Sequence, residues 1–428
     1  MGVNIRKLHS VNAKTRHLDC WRLVTFLTLF FLVSGIHAQS YDLLLKGGHV
    51  FDAANGINGV MDVAIHEGKV AKVAANIDPD DAKKVVDVFD LFVCPGLIDI
   101  HTHVFVGSEI GKFANGINSL SPDDFTLRAG ITTVVDAGTS GWRNFPQFKK
   151  QVIETSKTRV LAFLNIAGYG MTGDSLQADH DEMKVKEAVD LIKEYPDDIV
   201  GIKIGHYEGE SWIPFNRTIK AAEKTDRPIF VECHLPQYTL QEQLDKMRPG
   251  DIITHSYEKV SERMSVVDDK GVVRPFVFDA KERGIFFDVG HGGAGFWFSE
   301  ALPALQQGLA PNSFGSDLHR FSVHAGMKDM LNIMSKYLAM GMPLDDILQR
   351  ATWNPARAIK RRDLGNLSEG SIADVAVLRL REGAFGFVDA GKKRLDGNQR
   401  FEAELTIRAG KIVYDLNGIS MPPFDGNP

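Results

Sequence analysis

Residues 91–363 contain eight short apolar runs, and most end in a side chain able to carry chemistry. They end at His101/His103, Asp136, Asn165, Lys203, His234, His255, His291 and Asp317. Between most of them lie stretches with helical periodicity, such as Asp181 to Tyr195. Strands alternating with helices point to a parallel sheet, because each parallel pair needs a long crossover. Eight such units predict an α/β fold, a TIM-like (β/α)8 barrel, which uses roughly 250 residues as one domain. In that fold the C-terminal strand ends share one mouth. Two histidines, a lysine, two more histidines and an aspartate would then face a single opening.

The flanks read differently. From Tyr41 to about Val88, short alternating stretches such as Met61 to His66 are punctuated by Gly and Asn. Ala373 to Leu380 and Glu404 to Tyr414 look alike. The two ends, residues 39–90 and 364–428, are expected to form one small β-sandwich domain that the barrel at 91–363 interrupts. Ahead of them, Arg6, Lys7, Lys14, Arg16 and Arg22 precede the apolar stretch Leu23 to Val33 and then Ser34-Gly35-Ile36-His37-Ala38. Residues 1–38 thus read as a secretory signal peptide cleaved near Ala38, with an uncleaved anchor as the other reading. The expected location is periplasmic or secreted, with no stable membrane span after cleavage. A net charge of −6 and no basic stripe argue against a nucleic-acid partner. Cys94 and Cys233 fall on barrel strands one and five, farther apart than the ~7 Å a disulfide allows, so both are expected as free thiols.

His101-Thr102-His103 carries the first chemistry. Side chains two apart on a strand point to one side, so the two imidazoles converge. Zinc takes His and carboxylate ligands and keeps one position open when catalytic; manganese, iron or cobalt suit the same donors. Lys203 is the odd member, since an ammonium has no lone pair. It is either a salt-bridged lysine, or an amine whose pKa falls beside metals and that reacts with CO2 to give a carbamate able to bridge two ions. His291, among glycines, reads as a catalytic contact to substrate or oxyanion, or as a hydrogen-bonded structural histidine. His206 and Tyr207 follow Lys203, and His319 and Arg320 follow Asp317, as candidate substrate contacts. Arg320 could hold a carboxylate or pair with a rim acid.

The order His-x-His, Lys, His, His, Asp resembles the amidohydrolase superfamily with a binuclear metal centre. Pro95 to His103 matches its opening motif, and Gly370 to Val377 its returning β segment. Gly284 to Gly292 and Ser316 to His319 are similar to the deacetylase branch, often called dihydroorotase-like. This likeness covers nearly all of the mature chain. It implies two divalent ions, zinc being expected. His101 and His103 would bind the more buried ion with Asp317, His234 and His255 the second, with a CO2-derived carbamate on Lys203 bridging both. It further implies a metal-bridging hydroxide as nucleophile, with Asp317 as general base and then acid. The function implied is that of an exported metal-dependent hydrolase acting on non-peptide carbon–nitrogen or related acyl-ester bonds. It is most like a deacetylase of N-acyl amino acids or acetylated hydroxy acids, with a small-molecule acyl substrate as its partner and homo-oligomerisation left open. One alternative is a cyclic-amide hydrolase of dihydroorotase or hydantoinase type, although Phe105 stands where true dihydroorotases usually carry arginine. Another is a metal-binding protein that has lost catalysis, against which the six filled positions argue. Gln237, where mononuclear deaminases typically carry glutamate, speaks against that type. Gly293 to Phe298 and Phe314 to Ser316 depart from the branch pattern at the pocket wall, where substrate choice is made.

Overall fold

The computed structural model describes residues 39–107, 114–173, 175–207, 209–232, 237–259 and 264–426. The expected signal at 1–38, and Cys233 and His234, lie outside the described residues. The chain begins with β1 (Leu43–Asp52), β2 (Ile57–His66), β3 (Lys69–Ala74), β4 (Val85–Asp87) and β5 (Phe92–Pro95). It continues through β6 (Leu97–Thr102), β7 (Ile131–Gly141), β8 (Arg159–Asn165), β9 (Ile199–Gly205), β10 (Ile229–Glu232), β11 (Ile252–Ile253) and β12 (Phe286–Phe287). It ends with β13 (Val375–Val388), β14 (Arg394–Arg408) and β15 (Lys411–Asp415).

Both chain ends meet in one eight-stranded sheet of order β15-β14-β13-β5-β1-β2-β3, with β4 also on β1. Its core joins Leu45, Val50, Val63 and Ile65 from the front of the chain to Val375, Val377, Leu405 and Ile407 from the back. The run Leu91 to Ile100, expected as one barrel strand, is in fact two. Phe92–Pro95 pairs with β1 and β13 in the end sheet, and only from Leu97 does the chain enter the barrel. The domain boundary therefore falls at Gly96 rather than at 91. A side chain at Gly96 would put its Cβ 2.1 Å from Thr132 Oγ1, and the Gly96 amide donates to Asp374 O at 2.8 Å. Only glycine passes between the two sheets at that point. Cys94 consequently lies in the end sheet, not on a barrel strand; it is a buried free thiol.

Strands β6 to β12 pair in sequence order, all parallel. The eighth segment is irregular. Ser313 bridges Asp288 and Leu318 bridges Thr102, so 313–318 connects the last strand back to the first. The amides of Asp317 and Leu318 both donate to His101 O, which closes the ring beside the His-x-His pair. Helices pack outside; the helix Val185–Glu194 buries Ala188, Val189 and Ile192, starting four residues later than its sequence pattern suggested. Met330 and Met334 of the helix Met330–Ala339 enter the main core, as their spacing predicts.

An ionic clamp ties barrel to end sheet. Asp374 accepts from Arg159 at 2.5 Å, from Arg408 at 3.2 Å and from the Ala409 amide at 2.8 Å. The Arg159 and Asp374 side chains are only 12% and 9% exposed. Removing one partner of such a pair strands a charge, at a cost of about 3–5 kcal/mol. Asp374→Ala should therefore lower the urea midpoint of unfolding clearly; an unchanged midpoint would remove the clamp from the stability of the fold.

Candidate metal centre

The strand ends are held by two carboxylates, Asp99 and the strand-end Asp136. Asp99 Oδ1 accepts from the amides of His101 and Ser316 at 3.1 and 3.0 Å, joining β6 to the closing segment. Burial pushes its carboxyl up to about 7. Asp136 accepts from the Val104 and Thr139 amides at 2.9 and 2.8 Å, which fixes the chain just after His103. His206, His255 and Asp317 have φ of 52°, 50° and 52°. That left-handed region is disfavoured for residues with a Cβ, and such strain collects at functional sites.

These turns aim the side chains at one another. Asp317 Oδ1 lies 3.1 Å from His103 Nε2 and 3.5 Å from His101 Nε2. Across the mouth, Glu232 Oε1 lies 3.0 Å from His255 Nε2 and 2.8 Å from His206 Nε2. Its Oε2 is 3.9 Å from His101 Nε2 and also contacts the Lys203 ammonium. Among the described residues two candidate ligand groups result, His101/His103/Asp317 and His101/Glu232/His255, each with donor atoms within 4.8 Å of one another. His101 belongs to both.

The electrostatics follow from burial and pairing. Burial pushes His101 down to about 4, against the pull of Asp317. Burial alone would raise Asp317, but the imidazoles of His101, His319 and His103 hold it well below the usual carboxylate range. Glu232 is likewise held low, against burial, by Lys203, His206 and His255. In return Glu232 overcomes burial and raises His255 to about 9. His101 Nε2 and His103 Nδ1 are buried with no hydrogen-bond partner among the described residues. An unsatisfied buried polar atom costs about 1–3 kcal/mol, so the orphan Nε2 between two carboxylates marks a place built for a cation. The donor set of imidazoles and carboxylates fits divalent metal ions.

A cavity of ≈ 350 Å³ opens above the centre, lined by His103, Ala114, Asn118, Met171, His206, Glu232, His255, Glu258, Gly293 to Gly295, Asp317, His319 and Phe321. His206 and His319 line this cavity, with His319 Nε2 3.7 Å from Asp317 Oδ2. Three other expectations are corrected. Tyr207 is buried, and its hydroxyl is 2.7 Å from His180 Nε2 instead of at the cavity. Arg320 is exposed and off the cavity wall; its backbone amide donates to Asn118 O at 3.0 Å. His291 is fully buried behind the wall and does not line the cavity, so it is no direct catalytic contact. Its Nδ1 faces Gly292 O at 3.0 Å, its Nε2 meets Lys336 Nζ at 2.6 Å, and its ring stacks on Phe296 at 4.9 Å. Lys203 does reach the centre, as the fully buried partner of Glu232. Glu232 is not among the strand-end residues that the apolar runs pick out, although Glu232 and His234 repeat the i, i+2 spacing of His101 and His103. Asn118 ends the single 3-10 turn Gly116–Asn118 and Glu258 sits on an irregular loop, so neither carries a periodic signal.

The loop after β12 forms a wall of glycines. A Cβ on Gly292, whose φ is +44°, would lie 2.0 Å from Asp317 Oδ2. One on Gly295 would lie 2.1 Å from Gly290 O and 2.3 Å from His255 Nδ1. That His255 nitrogen donates to Gly290 O at 2.6 Å, so the loop presses on two candidate ligands at once.

A closed parallel barrel with histidine, carboxylate and lysine side chains gathered at its C-terminal mouth defines a metal-dependent hydrolase of the TIM-barrel class. The model of the amidohydrolase family matches residues 299–413. A deacetylase of Agrobacterium fabrum is 31% identical over 344 residues, covering 78% of this chain and 79% of its own. A deacetylase of Enterococcus faecalis is 28% identical over 387 residues, covering 88% of this chain and 100% of its own. Among solved structures, an adenine deaminase superposes with a TM-score of 0.79 at 27% identity, covering 88% of this chain and 100% of its own. A dihydroorotase follows at 0.77 and 28%, covering 87% and 99%. The chain belongs to the amidohydrolase family.

The glycine wall generates a paired prediction. Gly292→Ala should displace Asp317 and weaken divalent-metal binding by ~10–100-fold, the usual cost of disturbing the support of a ligand. Gly293→Ala, whose Cβ would meet nothing within 4 Å, should bind metal like the wild type. Equal affinities of the two variants in a competition titration would remove the wall from the site.

Proposed function

We propose that this protein is an exported deacetylase that hydrolyses N-acyl amino acids or acetylated hydroxy acids with two zinc ions and a carbamate on Lys203. The observation that carries the reading is the pair of ligand groups sharing His101 at the floor of the cavity. The deacetylase names of the relatives from Agrobacterium fabrum and Enterococcus faecalis support the substrate class. His101, His103 and Asp317 would hold one ion. His255 and Glu232, with His234 and the carbamate of Lys203, would hold the other. Divalent ions in these positions supply an acidified water and polarise the scissile carbonyl.

The chain's own residues do the rest. Asp317 reaches the cavity wall with a carboxylate kept ionised by three imidazoles, so it can take a proton from the attacking water and return it to the leaving nitrogen or oxygen. His319, beside Asp317, and His206, on Glu232, flank the two ends of the reacting group. Ala114, Met171, Ala294 and Phe321 give the acyl chain an apolar wall. Carbamate formation would join the Lys203 nitrogen to CO2, the ammonium giving up two protons in all; that nitrogen lies against Glu232, within the ligand cluster.

The dihydroorotase-like structural neighbour favours a second reading, a cyclic-amide hydrolase. Phe105 weighs against it. It is fully buried, packs on Phe148 at 4.9 Å and offers no charge to a ring substrate. Export rests on residues 1–38, and among the described residues no helix is long and apolar enough to cross a membrane. Intact-mass measurement of the exported protein should place its N-terminus near Gln39.

Purified mature protein should hold close to two divalent ions, one per ligand group, and chelation should abolish turnover of N-acyl and O-acyl substrates. Full metal content with no turnover on any of them would favour a binding protein. Lys203→Ala should lose metal and activity together and regain part of both with a short carboxylic acid; a variant that keeps its full metal content would rule out the carbamate. Asp317→Asn should slow turnover by ~10²–10⁴, the range of general acid–base effects. A near-wild-type rate would exclude Asp317 from proton transfer.

A further inference from the structure

We propose that Thr254 and Asp288 form a relay that decides which ring nitrogen of His101 carries the hydrogen, leaving Nε2 as the lone pair that faces the metal position. The inference rests on the metal centre proposed above. His101 Nδ1 lies 2.9 Å from Thr254 Oγ1, and Thr254 Oγ1 donates to Asp288 Oδ2 at 2.8 Å. Asp288 Oδ1 meanwhile accepts from Ser313 Oγ at 2.5 Å and from the Gly315 amide at 2.8 Å. Three donors converge on this carboxylate, so it acts as an acceptor only.

A hydroxyl has one hydrogen to give. With that hydrogen committed to Asp288, Thr254 can only accept from His101. The imidazole must then be protonated on Nδ1, and Nε2 must carry the lone pair. Nε2 is the buried nitrogen without a partner, between Asp317 at 3.5 Å and Glu232 at 3.9 Å. The opposite tautomer would point a hydrogen at the place where a cation belongs. Asp288 cannot set the tautomer directly, because its Oδ2 is 3.7 Å from Nδ1, beyond hydrogen-bond length. The threonine is the required intermediary.

Bulk solvent does not reach this relay. His101, Thr254 and Asp288 are 0%, 1% and 0% exposed. Glycines leave room for the relay and for nothing more. A Cβ at Gly290 would lie 2.1 Å from Thr254 Oγ1, and one at Gly315 would lie 2.3 Å from Asp288 Oδ2. Thr254 and Asp288 are positioning residues, acting on the metal through His101. Partners of this kind typically tune metal affinity by 10–100-fold.

The test uses the full mature protein, labelled with ¹⁵N-histidine, and zinc as the probe. In the metal-free wild type His101 should show the Nδ1–H tautomer by ¹⁵N shift. Thr254→Ser keeps the hydroxyl and should keep both tautomer and affinity. Thr254→Val keeps the shape and loses the relay, so affinity should fall by ~10–100-fold and the Nε2–H form should appear. Asp288→Asn offers a second route should the valine variant fail to fold. Its amide would donate to Thr254, which would then donate to His101 and invert the tautomer. Wild-type tautomer and affinity in Thr254→Val or in Asp288→Asn would overturn the proposal, as would an Nε2–H form in the wild type. A wild type with the Nδ1–H form but no zinc binding would instead sink the metal-centre reading alone.

Discussion

Everything at the mouth of this barrel depends on keeping charges buried together. Lys203, Glu232, Asp317, His101, His103 and His255 are almost wholly shielded from water, with His206 and His319 partly open at the rim. Isolated ions cannot survive there, since burying one unpaired costs far more than a folded chain can offset. The cluster is therefore a chain of mutual neutralisation. Lys203, His206 and His255 hold Glu232 ionised, while His101, His103 and His319 hold Asp317 ionised. Between the two lies His101, pushed by burial towards its neutral form and offering an orphaned nitrogen. A cation placed between them would meet lone pairs and negative charge on both sides.

Such a cluster needs a rigid frame, and the frame is largely backbone. Asp99, Asp136 and Asp288 each capture amides or hydroxyls from two neighbouring segments, so the strand ends hold one another in register. The glycines at 290, 292 and 295 let the loop after β12 come within contact distance of His255 and Asp317. Behind that loop, His291 is locked between Phe296 and Lys336. A residue that looks catalytic by its place at a strand end thus serves the wall of the site.

Adenine deaminase and dihydroorotase both superpose on this chain over most of its length. One scaffold thus accommodates different leaving groups, and the choice between them lies in the loops above the metals. Here those loops present Ala114, Met171, Gly293 to Gly295, His319 and Phe321. Phe321 is 64% exposed at the mouth, so the apolar wall continues outward from the cavity.

The amino-acid sequence alone determined the alternation of strand and helix, the pairing of the two chain ends and the order of the candidate ligands. These are local or periodic properties: two-residue spacing on a strand puts His101 and His103 on one side whatever surrounds them. Tertiary structure decided what happens beyond each strand end. Gly96 moves the chain from one sheet to the other because Thr132 leaves no room for a side chain while Asp374 O accepts its amide, and neither neighbour is near it in sequence. Tyr207 and Arg320 directly follow the cavity-lining His206 and His319, yet the positive φ at His206 and at Asp317, one and three residues ahead of them, redirects the backbone. His291 turns away because Lys336, forty-five positions later, offers it a buried partner. Glu232 enters the centre because β10 pairs with β9 in the register that sets it beside Lys203. Spacing in the sequence sets the side of a strand a residue occupies; contacts between distant segments set whether it meets the cavity.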